Sequence, residues 1–332
     1  MTLKTGIVGF GWWGRHIATR LAGNAGFDLM GVAEPNAELA GDIAALGTER
    51  LPDLDALLAK GGIEAVILTS PNDLHDAQVA ACAAAGVHVF CEKPLSLTAA
   101  GARASVAACQ EAGVILGIGH ERRFEPAIEA LKAALDAGEL GTIMHSELAF
   151  SHDKLKHLGP ESWRTTKRFA PAAGMTQMGI HLTDLLIWFF GPVARVHAIT
   201  ADRELGWETG DIVTVQLQFQ AGMIAQLQAI LNTPHFLRTH IFGSREHIEI
   251  RNATHPDTPG GAVTMTRYRS IDDQETAHFD WSDAVTANLE NWAAAIRGEA
   301  PYRFTDVEKL HNIEVLEAII RSAETGEVVT LG

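Results

Sequence analysis

The sequence predicts an α/β Rossmann domain at its N-terminal side followed by an α+β domain with an open, mainly antiparallel sheet. Three observations carry this expectation. A short apolar run, Thr5 to Val8, leads into Gly9-Phe10-Gly11-Trp12-Trp13-Gly14 and then a helical stretch. Helix and strand patterns then alternate as far as Gly119, which implies a parallel sheet. Beyond His120 several strands follow, and the run from Asp211 to Phe219 alternates polar and apolar residues, as in an antiparallel sheet with one wet face.

The glycine turn is the most informative segment. Gly9 permits a tight turn, Gly11 lets the backbone approach a pyrophosphate, and Gly14 lets the helix from Trp12 to Leu21 pack against its strand. Amides at that helix N-terminus would hold the phosphates. A second strand, Phe27 to Ala33, ends in Glu34, about twenty residues past the last glycine, where a carboxylate accepts hydrogen bonds from the adenine ribose. That carboxylate repels a 2′-phosphate, and no Lys or Arg follows until Arg50, so NAD is expected over NADP. The other reading of Glu34 is a solvated strand-end acid before Pro35.

The remaining elements follow in order. Helical patterns span 37–46, 53–60, 74–85 and 98–112; strand patterns span 65–69, 87–91 and 114–119, giving a sheet of roughly six strands. A helix over 126–137 leads through Gly138 and Gly141 to a strand over 142–151, then a loop-rich stretch and a helix over 181–190. Strands are expected at 195–200, 211–219, 224–231, 239–242, 247–250 and 263–268, with a Pro- and Gly-rich loop at 254–261. Helices over 282–297 and 306–322 close the chain.

With 332 residues, 47% of them hydrophobic, two domains are expected: 1–121 for the dinucleotide and 122–332 for substrate and oligomer contacts, with the closing helices able to pack back on the first. A net charge of −15 without a basic stripe argues against nucleic acid and anionic membrane as partners. The absence of a long apolar run or signal-peptide pattern gives a cytoplasmic expectation. Cys82, Cys91 and Cys109 lack zinc or redox spacing and read as reduced core residues. The 15 histidines form no closed ligand set, so no metal is expected.

The segments Thr69 to His75 and Val87 to Leu95 sit at the C-terminal ends of predicted parallel strands, where ligands of such sheets bind. Lys93 would emerge there beside the nicotinamide, as a proton-transfer or alkoxide-stabilising group. Taken without its neighbours, a lysine at a strand end is usually a solvated surface charge.

These pieces resemble the glucose-fructose oxidoreductase, inositol dehydrogenase and MocA family over nearly the whole chain. The resemblance rests on the glycine turn, Ser70-Pro71-Asn72 with His75, Glu92-Lys93-Pro94, Arg122-Arg123-Phe124 with Pro126, Trp163-Arg164, and Gly179 to Asp184, continuing through the closing helices. It implies NAD(P)-dependent oxidation of a sugar or cyclic polyol, with Lys93 and His181 catalytic, in a homodimer or homotetramer built on the second domain's sheet. It also implies cofactor contacts from Gly9, Phe10, Gly11, Trp12, Trp13, Gly14, Glu34, Ser70, Pro71, Asn72, His75, Glu92, Lys93 and Arg122.

The chemistry agrees with that implication. Oxidising a secondary alcohol requires a base for the hydroxyl proton, and imidazole suits neutral pH. His181 would be that base, and Lys93 would stabilise the developing alkoxide. The chain departs from the family where many members carry Asp four residues before the histidine; here Gln177 stands there and cannot stabilise imidazolium by charge. Three possibilities stay open: Asp184 or another acid supports His181, His181 works with Lys93 alone, or the substrate differs from simple polyols. His120-Glu121 is a second departure, where an aromatic and an amide are common. Substrate contacts are expected from Arg164, Gln177, Asp184 and His152, although Arg164 could form an ordinary salt bridge and His152 could lie in a solvated loop. Two rival functions share the fold: glycoside cleavage with transient NAD redox, and a non-catalytic NAD-bound sensor.

Overall fold

Runs of buried aliphatic residues form the strands of the first sheet in the computed structural model, which describes residues 2–332. The chain divides into two compact units, one comprising residues up to His120 with Val285–Ile313, the other Glu121–Ala284 with Glu314–Gly332.

In the first unit β1 (Leu3–Val8) precedes α1 (Trp12–Ala22), β2 (Phe27–Ala33), α2 (Ala40–Ala44), β3 (Arg50–Leu51), α3 (Leu54–Ala59), β4 (Ala65–Leu68), α4 (His75–Ala84), β5 (His88–Cys91), α5 (Ala99–Ala112) and β6 (Leu116–Ile118). All six strands run parallel in the order β3-β2-β1-β4-β5-β6. The order reverses between β1 and β4, the switch point at which such sheets bind ligands. The helix expected over 37–46 is broken: the Asn36 side chain accepts the Glu38 amide at 3.0 Å and starts a 3₁₀ turn, Ala37–Leu39, before α2. Ile7, Ile17, Val32, Ile67, Phe90 and Trp292 form part of one buried core. Trp292 comes from the closing helices, and its ring meets Phe90 edge-on at 5.5 Å. The same segment is tied to β6 by Asn288 Nδ2 donating to the Ile118 carbonyl at 2.9 Å and Lys309 Nζ to the Leu116 carbonyl at 2.6 Å.

The second unit contains α6 (Pro126–Asp136), β7 (Ile143–Ser151), α7 (Gly179–Phe190), β8 (Val193–Ala201), β9 (Ile212–Phe219), β10 (Ile224–Ile230), β11 (Phe236–Gly243), β12 (His247–Asn252), β13 (Val263–Tyr268) and β14 (Gln274–Phe279). Helices α8 (Ala284–Ile296) and α9 (Asp306–Thr325) follow, with α9 passing from the first unit's residues into the second's, and β15 (Val329–Thr330) ends the chain. The nine-stranded sheet has the order β14-β13-β12-β11-β7-β10-β9-β8-β15. Every pairing is antiparallel except β7 with β10. Strand β9 alternates buried and exposed positions, as its sequence predicts. The extra strands are β3, β14 and β15. Two are only two residues long, while β14 is an edge strand with no buried residue and hence no periodicity to read.

Candidate active site

Within the first unit, β1 ends at Gly9, which adopts φ 91° and donates its amide to the Ala33 carbonyl at 2.8 Å. A Cβ at Gly14 would stand 2.2 Å from the Gly9 carbonyl oxygen, so helix and strand pack closely only with glycine there. Gly11 differs: a Cβ would meet nothing within 4 Å. Protein packing does not demand glycine at that position, but its bare backbone is what close approach of a diphosphate requires. Gly11 caps α1 with no side-chain hydrogen bond, leaving the first-turn amides without a side-chain acceptor. The turn therefore fits a dinucleotide.

Glu34 is only 9% exposed. Its Oε2 accepts the Phe10 amide at 2.8 Å and its Oε1 the Asn36 amide at 2.9 Å, which fixes the carboxylate while each oxygen keeps a second lone pair for a hydroxyl. Phe10 corrects an expectation. Its side chain is buried in the core and its amide is engaged by Glu34, so it braces the turn instead of presenting a group to a ligand. Trp12 is exposed, and Trp13 stacks on His16 with centroids 4.9 Å apart.

At the end of β4, Ser70 Oγ donates to Gln78 Oε1, and Pro71 leads into a 3₁₀ turn in which Asn72 is buried. His75 is fully buried, with Nδ1 2.7 Å from the Pro94 carbonyl oxygen and Nε2 3.1 Å from that of Ser70. Burial lowers its pKa against the opposing pull of those carbonyls. His75 is thus wedged between the loops after β4 and β5, where its neutral ring donates to one of the two carbonyls. Glu92 is also buried, accepts the Lys93 amide at 3.2 Å, and occupies the space a Cβ at Gly119 would need. Lys93 follows, half-buried, and its bond to Pro94 is cis.

Within the second unit, His181 lies in the first turn of α7 and is 5% exposed. Its Nδ1 stands 3.9 Å from Glu121 Oε2. Asp184, one turn further on, is occupied elsewhere: Arg123 donates to it from Nε at 2.9 Å and from Nη2 at 2.7 Å, with both side chains buried. Its carboxylate thus braces the buried Arg123 guanidinium. The nearby acid is Glu121, at the position whose departure from the family pattern was already visible. Gln177 Nε2 donates to the Arg164 carbonyl at 3.2 Å and its Oε1 accepts from Thr176 Oγ1 at 3.0 Å, so its amide ties the Arg164 loop to the turn before His181. The Arg164 guanidinium lies 4.2 Å over the Trp163 ring, and burial lowers its pKa. Among the described residues no carboxylate pairs with it, so the salt-bridge alternative does not hold.

Phe150, near the end of β7, is the centre of a larger polar cluster. Its ring lies 5.7 Å from that of His152, 6.4 Å from His181 and 5.4 Å from His255, with the Arg122 guanidinium 5.6 Å away. His152 is buried and its Nδ1 accepts the Lys154 amide at 3.3 Å. Burial, then the charges of His255, Lys154 and His235, push its pKa down to about 4, so the ring is neutral at physiological pH. Arg122 donates from Nε to Glu125 at 2.7 Å and lies in this cluster with its side chain buried. His255 Nδ1 is 3.2 Å from Asp257 Oδ2. Glu121, His235, His255 and Asp257 are the residues sequence reasoning missed. The last two stand two apart around Pro256, a signal hidden in a segment read only as a Pro- and Gly-rich loop.

Burial raises the thiol pKa of Cys82 to about 12 and of Cys109 to about 11, and all three cysteines are buried and free. Among the described residues no cluster of His, Cys, Asp and Glu is arranged to hold a metal, and no helix is long and apolar enough to cross a membrane.

Comparison with known proteins identifies the family. Residues 3–120 match the model of the GFO/IDH/MocA oxidoreductase family, NAD-binding Rossmann fold, and residues 128–249 match the GFO/IDH/MocA C-terminal domain. UDP-N-acetylglucosamine 3-dehydrogenase of Acidithiobacillus ferrooxidans is 38% identical over 310 residues, covering 90% of each chain. D-xylose 1-dehydrogenase (NADP(+)) 2 of Haloferax volcanii is 32% identical over 279 residues, covering 83% of each. Among solved structures, a putative NADPH-dependent oxidoreductase from Desulfitobacterium hafniense superposes with TM-score 0.91 at 23% identity, covering 99% of this chain and 98% of its own.

Proposed function

The chain belongs to the GFO/IDH/MocA family of NAD(P)-dependent sugar and polyol oxidoreductases, and from that premise we propose that it oxidises a secondary hydroxyl of a sugar, inositol or related polyol with NAD. The observation that carries the mechanism is the placement of Glu121 beside His181 in a chain that lacks the family's acid at position 177. His181 takes the proton of the reacting hydroxyl as the carbon–hydrogen bond breaks. Glu121 stabilises the imidazolium that forms, a role Gln177 cannot fill. Lys93 donates a hydrogen bond to the oxygen as alkoxide character develops. When bound, the dinucleotide supplies the hydride acceptor; Gly11 and the α1 amides would hold its diphosphate and Glu34 its adenine ribose. The fixed carboxylate of Glu34 favours NAD, whereas the Haloferax relative is named for NADP(+).

The same reading assigns Arg164 and His152 to substrate hydroxyls and places the protein in a homodimer or homotetramer. Supporting the latter, the outer face of the larger sheet exposes Ile199 and Ile224 and carries a cavity of about 360 Å³ lined by Gln216, Gln226, Gln228 and Arg238. The Acidithiobacillus and Haloferax relatives are both named as dehydrogenases, which favours net oxidation over glycoside cleavage or a sensor.

The test incubates purified protein with NAD and, separately, NADP against inositols, aldoses and sugar acids, following reduced-cofactor absorbance. NADH formation that collapses in Lys93→Ala and His181→Ala is expected, with Glu34→Ala relaxing discrimination against NADP. Full turnover retained in both catalytic variants would exclude the mechanism.

A further inference from the structure

Two atoms in the Phe150 cluster have unmet hydrogen-bonding capacity. His235 Nε2 lies 3.2 Å from the Asn252 carbonyl oxygen, and because a carbonyl only accepts, Nε2 carries the proton in the neutral ring. Nδ1 of His235 is then a bare lone pair, and it is buried without a partner. Arg122 is 1% exposed, and its Nη1 is likewise buried without a partner while Nε and Nη2 donate to Glu125. An orphaned buried acceptor and an orphaned buried donor are each costly.

The two residues belong to one network. Arg122 donates to Glu125, Asn252 Nδ2 donates to Glu125 Oε2 at 3.3 Å, and His235 donates to the Asn252 carbonyl. That chain fixes the tautomer of His235 and points Nδ1 away from Asn252. Burial foremost lowers the His235 pKa; the Asn252 hydrogen bond opposes this, and the charges of His255, Lys154 and Arg122 lower it further. A hydroxyl both accepts and donates, so one hydroxyl can close both vacancies by accepting from Nη1 and donating to Nδ1.

We propose that Arg122 Nη1 and His235 Nδ1 together seat one hydroxyl of the substrate, which makes His235 a specificity-determining residue. The proposal rests on the polyol reading above and adds to it the identity of a hydroxyl-reading residue outside the Lys93–His181 pair. Two other groups share the required chemistry, the nicotinamide carboxamide and a water molecule, and the experiment separates all three.

Two variants divide the functions of the ring. His235→Gln places an amide donor near the Nε2 position and removes the Nδ1 acceptor; His235→Asn places an acceptor oxygen near Nδ1. With myo-inositol, D-xylose and D-glucose as probes and NADH absorbance as readout, His235→Gln should raise KM roughly three- to ten-fold. Its kcat and its NAD affinity, measured by tryptophan fluorescence, should stay unchanged, and His235→Asn should restore KM. A second readout needs no turnover: in ¹⁵N-histidine-labelled protein, the His235 Nδ1 resonance, assigned by its loss in both variants, should shift when a polyol is added to the NADH complex. A shift on NADH alone, or weakened NAD binding with polyol KM unchanged, would overturn the proposal in favour of the carboxamide. A resonance unmoved by NADH and by all three polyols would overturn it in favour of water. If no polyol is oxidised, the functional reading fails separately, and the three titrations still decide whether the subsite takes a hydroxyl.

Discussion

Acid should destabilise this protein through His152, and the size of the effect follows from where the ring sits. In the unfolded chain the imidazole titrates near 6.5, whereas burial and neighbouring positive charge lower it to about 4 in the fold. Between those values the unfolded state binds the extra proton, so stability rises with pH through the window and is complete above about 6.5. At about 1.36 kcal/mol per pH unit, the contribution lost between pH 7 and pH 4 is about 3 kcal/mol. The ring is 7% exposed, so solvent screening removes little of this. The comparison variant is His152→Asn, whose side-chain oxygen can still accept the Lys154 amide but does not titrate. Urea denaturation of both proteins at pH 7.5, 5.5 and 4.5 isolates the histidine from other acid-sensitive groups. Wild type should lose about 2.5 kcal/mol more than the variant between the extremes. Parallel losses in the two proteins would refute the reasoning, since His152 would then be solvated or already charged in the fold.

Three further outcomes are expected. Asp184→Asn leaves the buried Arg123 guanidinium without its counter-charge and should cost roughly 3–5 kcal/mol, measured by chemical denaturation; the paired Arg123→Met, Asp184→Leu variant should recover much of it. Gly14→Ala drives a methyl to 2.2 Å from the Gly9 carbonyl oxygen and should lower Tm, whereas Gly11→Ala meets no protein atom and should leave Tm unchanged while weakening NAD in a fluorescence titration. Glu121→Gln should lower kcat and move the acidic limb of the pH–rate profile, which reports the base, while Tm and NAD affinity hold; an unchanged profile would remove Glu121 from the mechanism.

Features set by local periodicity were legible in the sequence. The buried run of β1, the alternation of β9 and the glycine turn each announce themselves in a few adjacent residues. Edge strand β14 did not, because a strand with no buried face has no pattern. Candidate-site segments were legible where motifs are contiguous, as in Glu92-Lys93-Pro94 after β5, and obscure where partners are distant. Asp184 stands three residues from His181 on the same helix, yet its carboxylate is taken by Arg123, 61 positions away. The acid near His181 is Glu121, 3.9 Å from it across a separation no spacing rule reveals. His75 reads as a ligand contact because it sits at a strand end, and only the fold shows its ring wedged between two carbonyls. His235 and His255 join the Phe150 cluster from two separate loops, and their relation to His152 exists only in the folded sheet.

The central claim is hydride transfer from a secondary carbinol carbon, with His181 taking the hydroxyl proton. Its most direct test incubates the protein and NAD with myo-inositol and D-xylose deuterated at their carbinol carbons, followed by mass analysis of the NADH. Deuterium carried to the nicotinamide, at a rate that collapses in His181→Ala, is the predicted result. NADH formed without deuterium, or deuterium transfer undiminished in His181→Ala, would contradict it.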